Sequence, residues 1–142
     1  MATRATSART PAQTVALVFG AVYLLIGILG FFVAEEFTGG GESDKLILFP
    51  VNHLHNIVHL AIGAALLGAS RAHATAKSAN LAVGVVYLLV MVVGFLGALD
   101  FLNINSAGSA DNFLHLVSGA VLAYFGSAGA EGAGATTTRT TV

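Results

Sequence analysis

The sequence predicts an all-α fold: a four-transmembrane-helix bundle made of two parallel helical-hairpin repeats. Three observations predict it. Hydrophobic residues make up 56% of the 142 residues and charged residues only 9%, where a soluble domain carries about a quarter charged residues. Two stretches, residues 14–33 and 79–99, hold no charged residue, and each is long enough to cross a hydrocarbon core of ~30 Å as a helix. The chain also repeats itself. Asn56-Ile57-Val58-His59-Leu60-Ala61-Ile62-Gly63-Ala64 returns as Asn112-Phe113-Leu114-His115-Leu116-Val117-Ser118-Gly119-Ala120, with Asn, His, Leu, Gly and Ala in register at an offset of 56.

Taken in order, residues 1–13 read as a disordered cytoplasmic tail, and residues 14–33 form the first span. Arg4 and Arg9 before an apolar run also fit a signal peptide, but the run exceeds a usual apolar signal region and its counterpart lies mid-chain, so the span is expected to be retained. Residues 51–70 and 110–127 begin polar and become apolar. Either alone reads as an interfacial segment; the repeat makes them the second and fourth spans. Residues 79–99 are the third. The first and third also match, since Leu17, Gly20, Val22, Tyr23, Leu24, Leu25, Gly30 and Phe31 correspond to Leu81, Gly84, Val86, Tyr87, Leu88, Leu89, Gly94 and Phe95 at an offset of 64. The unit is therefore a helical hairpin used twice, with a shorter connecting loop in the second copy. Residues 14–127 make one domain, and the Gly/Ala/Thr-rich residues 128–142 read as a second disordered cytoplasmic tail.

Basic residues set the orientation. Arg4, Arg9, Arg71, Lys77 and Arg139 fall on one side of such a bundle and Lys45 on the other. Lys/Arg excess marks the cytoplasm, so both termini are expected inside. Glu35, Glu36, Glu42, Asp44, Asp100 and Asp111 then lie on the outer side.

Two spans per unit make the repeats parallel, related by an axis along the membrane normal, and corresponding residues share a depth. His59 lies eight residues from the outer start of its span and Tyr23 ten from the outer end of its own, which is roughly 12 and 15 Å at ~1.5 Å per residue. His59, His115, Tyr23 and Tyr87 are thus expected in one polar layer. His55 and His59 share a helix face at i, i+4, as do their counterparts Asp111 and His115. Asn56 and Asn112 sit nearby as structural polar groups.

An ionisable residue inside a membrane is costly and needs a reason. In one reading the layer is structural: Asp111 or Asn112 caps the fourth helix, Asn52 the second, and the histidines hydrogen-bond between helices. In another, His55, His59, Asp111 and His115 hold a transition metal, a set that suits Zn, Cu or Fe, or His59 and His115 are axial ligands of haem b, with Tyr23 and Tyr87 beside the cofactor. A proton or solute path fits less well, because the inner half of the spans is almost wholly apolar. His53 points off the His55/His59 face and reads as interfacial, and His73 as solvated. Leu46-Ile47-Leu48-Phe49-Pro50 is too short to span and is expected at the interface, after a flexible Gly39-Gly40-Gly41 tract.

Other chemistries are excluded or unsupported. There is no cysteine, hence no thiolate site or disulfide. A net charge of −1 leaves no basic footprint for nucleic acid. Glu35 and Glu36 read as a solvated helix end, and no Ser-His-Asp set or phosphate loop is present. Nothing argues for an enzyme. The expected partners are the lipid bilayer and either a second copy of the chain or another membrane-complex subunit.

The motifs His55-Asn56-x-x-His59-x-x-x-Gly63 and Asp111-Asn112-x-x-His115-x-x-x-Gly119, in a chain of this size, resemble domain-of-unknown-function family 4383, small four-span bacterial membrane proteins. The resemblance covers about residues 14–126. It implies a multi-pass protein of the bacterial cytoplasmic (inner) membrane and carries no activity. The preferred expectation is a non-enzymatic membrane protein whose His/Asn/Tyr layer is structural; the alternative is a metal- or b-haem-binding redox or sensor protein.

Overall fold

A computed structural model of the chain describes residues 8–41, 44–104 and 106–127. The expected tail 128–142 lies outside the described residues, as do Arg4, Glu42 and Arg139, which entered the orientation expectation. The described residues contain four α-helices: α1 Pro11–Gly30, α2 His53–Ala69, α3 His73–Phe95 and α4 Ala110–Ser127. Two short strands, β1 Lys45–Leu46 and β2 Phe49–Pro50, pair antiparallel between α1 and α2, and a 3₁₀ turn, Asp100–Leu102, precedes α4. The fold is all-α in substance. Both α1 and α3 are long and apolar enough to cross a membrane by length and composition.

Helix α1 starts earlier than hydropathy suggested, so residues 11–13 of the expected tail are helical. The reason is local. Thr10 and Gln13 form a capping box, and Pro11 occupies the first turn, where its missing N–H costs nothing. Gln13 also donates to the Ser70 carbonyl at 3.1 Å, and Thr10 Oγ1 lies 2.8 Å from His73 Nδ1. His73 therefore opens α3 and ties it to the start of α1; it is not a free loop residue. Helix α3 runs from 73 to 95, displaced toward the N-terminus of the expected 79–99 span. Its polar first turns carry no apolar signal, and Gly97, at φ 71°, follows its end.

The main pairings are α1 with α2 and α3 with α4. Glycines set both. A Cβ on Gly20 would lie 2.8 Å from the Leu67 nitrogen and 3.0 Å from the Gly63 carbonyl oxygen; one on Gly84 would meet the Ala123 backbone and lie 2.9 Å from the Gly119 oxygen. Small residues thus bring backbones together, as in membrane helix packing. The burial pattern is inverted relative to a soluble bundle. Ala12, Ala16, Tyr23, Leu66, Ala76, Tyr87 and Leu122 form the core, with His55, Asn56, His59, Asn80, Asp111, Asn112 and His115 also buried. Large apolar side chains such as Val18, Val22, Leu25, Val85, Leu89 and Val117 face outward.

The end carrying the β-hairpin, here the hairpin end, is closed by asparagines. Asn52 caps α2, accepting from the His55 N–H at 2.8 Å, while its amide donates to the carbonyls of Gly39 and Phe101 at 2.8 Å each. Asn103, left-handed at φ 62°, donates to the Val51 carbonyl. The Gly39-Gly40-Gly41 tract serves geometry as much as flexibility. Gly39 and Gly40 have φ of 70° and 136°, and a Cβ on Gly40 would press on Asn103 and Asp44. The 46–50 run, expected at the interface, falls within the β1/β2 hairpin. Its tip holds Ile47 at φ 65°, 84% exposed.

Candidate metal centre

Helices α2 and α4 bring the candidate residues to one level because Asn52 starts α2 at a fixed point and the glycine contacts fix its height against α1. His55 and His59, one turn apart on α2, turn the same face inward. Their Nε2 atoms are 3.0 Å apart and their rings 4.8 Å. His115 on α4 meets them, its ring centre 6.3 Å from that of His55. One ring nitrogen from each of His55, His59 and His115 lies within 4.8 Å of the other two, and all three residues are 3–4% exposed. A neutral imidazole pair at 3.0 Å makes an ordinary hydrogen bond. Three imidazoles at this spacing also bracket a metal's demand: Zn–N bonds of about 2.0–2.1 Å at tetrahedral or trigonal angles need nitrogens ~3.3–3.6 Å apart.

Two tyrosines complete the layer. Tyr23 sits edge-on to His59 at 5.4 Å, and Tyr87 edge-on to His115 at 4.8 Å, with 5.4 Å between the tyrosine rings themselves. The His59, His115, Tyr23 and Tyr87 quartet read from the sequence is therefore contiguous in space. The layer is under-bonded. The Nδ1 atoms of His55, His59 and His115 are buried without a hydrogen-bond partner, although the carbonyls of Leu102 and Pro50 flank the His55 ring. Buried polar atoms are normally paired, and in His55 and His59 these Nδ1 atoms are not the nitrogens that meet, which are the Nε2 pair.

Asp111, expected as a fourth ligand, stands apart from the three-imidazole group. It is buried in the first turn of α4, with its Oδ2 accepting from Ser109 Oγ at 3.3 Å. It shares with His59 a cavity of about 100 Å³, whose other walls are Ile26, Leu46, Ile47, Phe49, Val51 and Leu114. Asn112 sends its amide back to the carbonyls of Ser106 and Ala107 at 3.0 and 3.3 Å. Both polar atoms of the Asn56 side chain are buried without partners.

Three polar residues carry more than the sequence reading assigned. Asn80 is fully buried on α3 and donates to the Ala12 carbonyl at 2.9 Å; a lone asparagine in an uncharged run was the available signal. Asn103 gave none, because its role depends on a left-handed turn. His53 stacks on Phe31, with ring centres 5.3 Å apart, a contact that needs the bend between α1 and the hairpin.

A family model described as Domain of unknown function (DUF4383) matches residues 13–128. No curated protein and no solved structure matches the chain.

Proposed function

We propose that this chain, which belongs to the DUF4383 family, is a four-span integral membrane protein that binds one transition-metal ion at His55, His59 and His115. The membrane reading is supported by the inverted burial pattern and by the length of the helices. At ~1.5 Å per residue, α1 and α3 reach about 30 and 35 Å, and the 17-residue α2 and 18-residue α4 about 26 and 27 Å. The last two fit a hydrocarbon core when the bilayer thins slightly or flanking groups meet the interface. Duplicated hairpins with both termini in the bacterial cytoplasm remain the best account of the sequence repeat and of the basic residues.

The single observation that carries the metal reading is the convergence of three buried imidazoles, each offering a ring nitrogen within 4.8 Å of the other two. Imidazole suits Zn, Cu or Fe, and three histidines leave a fourth position open. Haem b fits less well. Its axial pair must be separated by a flat slot, whereas His55 packs against both His59 and His115. The cavity that His59 lines, of about 100 Å³, falls below the ~300 Å³ at which sites for larger organic ligands begin.

Elemental analysis of protein purified from native membranes tests the proposal. One transition-metal ion per chain is expected, lost in the His59→Ala/His115→Ala double variant and kept in Asp111→Asn. Metal-free wild type that refuses added Zn or Cu would leave the layer as a structural hydrogen-bonded seam, the reading favoured by the 3.0 Å His55–His59 contact.

A further inference from the structure

The 100 Å³ cavity that His59 shares with Asp111 is not isolated. Ile26 on α1 and Leu114 on α4 line it and also line a second cavity, of about 160 Å³, bounded by Val18, Phe19, Val22, Tyr23 and Ser118. The two spaces are separated by the shared Ile26/Leu114 pair, along the seam between α1 and α4. That seam is packed more sparsely than either hairpin. Its outer wall carries Val18 and Val22, 52% and 44% exposed, on the surface that lipid covers in a membrane. The walls are almost wholly apolar, with polar groups only at His59, Asp111, Tyr23 and Ser118.

The smaller cavity reaches His59, one of the three converging imidazoles, and only the Ile26 and Leu114 side chains stand between it and the larger one. We infer that the α1/α4 seam is an access route for a small, uncharged, lipid-soluble molecule of the diatomic-gas class, which binds the open fourth position of the metal. The inference rests on the metal reading above. The chemistry selects the class. An anion would cross apolar walls and meet the Asp111 carboxyl. A bulky ligand does not fit 100 Å³. A diatomic molecule partitions into hydrocarbon, needs no hydrogen bonds along the way, and donates a lone pair to a metal held by three imidazoles. For a closed-shell donor such as carbon monoxide, binding is reversible and involves no net electron or proton transfer.

Carbon monoxide on copper(I) is the probe. Purified protein is loaded with copper(I), its copper content measured, and CO added under an infrared beam. A single narrow CO stretch, bleached by a light flash and recovered by rebinding, is expected. Ile26→Phe and Leu114→Phe fill the junction and should slow rebinding by about tenfold or more, while Ile26→Ala should hasten it, with copper content unchanged in all three. Bound copper without a CO band overturns this inference alone, as does rebinding indifferent to the size of residue 26. Absence of bound copper overturns the metal reading and this inference with it. If the Phe variants fail to fold, the Ile26→Ala rate still decides.

Discussion

Gly30 and Asn56 occupy one space: a Cβ on Gly30 would fall on the Asn56 carboxamide, and a Cβ on Gly94 would fall in the same way on that of Asn112. The pairs are counterparts in the sequence repeat, so both hairpins use a glycine near the end of their first helix to seat an asparagine one turn before the histidine. Gly30→Ala and Gly94→Ala should each destabilise by about 1–3 kcal/mol, the usual cost of overpacking. Unfolding in detergent would show it, and an Asn56→Ala background should recover most of the Gly30→Ala loss by emptying the space. A loss unchanged in that background counts against the pairing.

Much of this was legible in the sequence, and the limits have physical causes. The register of Asn, His and Gly in the two repeats pointed to His59 and His115 at one level, because counterpart positions in two parallel hairpins lie at equal heights. The i, i+4 spacing brought in His55. Asp111 lies outside the three-imidazole group although it shares a cavity with His59, since a helix face fixes direction but not how far a short side chain reaches. The ends of α1 and α3 were misplaced because hydropathy responds to apolar runs, whereas the Thr10/Gln13 capping box and the Thr10–His73 contact extend helices into polar sequence. The closed hairpin end depends on left-handed Asn103 and on carbonyls from three separate loops, none of which has a sequence period.

Asn52 should be the most sensitive polar residue at the hairpin end. Its oxygen caps α2 and its amide holds both Gly39 and Phe101. Asn52→Ala removes all three bonds and should cost about 2–3 kcal/mol, from about 1 kcal/mol for the cap and a similar or larger penalty for the stranded carbonyls. Asn52→Asp keeps the cap oxygen and loses the donors, so its melting temperature in detergent should fall between wild type and Asn52→Ala. An Asp variant equal to Ala would show that the cap contributes nothing.

Asn80 should act as a hydrogen-bonded bridge between α3 and α1. Its amide reaches the Ala12 carbonyl while its own Oδ1 is buried without a partner. Asn80→Ala should therefore cost little, about 0.6–1.7 kcal/mol as for other interhelical bonds in membranes. A loss well above that range would reveal a partner for Oδ1, and hydrogen exchange at the start of α1 would locate it.

Topology is directly testable because the chain has no cysteine of its own. Ala74 in the first turn of α3 and Ala107 before α4 are both exposed and lie at opposite ends of the bundle. In intact cells a membrane-impermeant maleimide should label Ala107→Cys and spare Ala74→Cys, and both should label after lysis. Equal labelling of the two in intact cells would remove the four-span arrangement, and reversed labelling would invert it.

Metal binding should appear as stability. A ligand that binds only the folded state stabilises it by about 2.7 kcal/mol at a hundred times its dissociation constant. Added Zn or Cu should therefore raise the melting temperature of metal-stripped wild type in a concentration-dependent way. His55→Ala should weaken the response without abolishing it, because two imidazoles remain. The His59→Ala/His115→Ala double variant should abolish it, because His55 alone cannot hold the ion. Asp111→Asn should retain it in full, since the Asp111 carboxyl bonds Ser109 and lies outside the three-imidazole group. A response that vanishes in Asp111→Asn and survives in His55→Ala would move the centre toward the Asp111/His59 cavity and replace the three-histidine set with a carboxylate one.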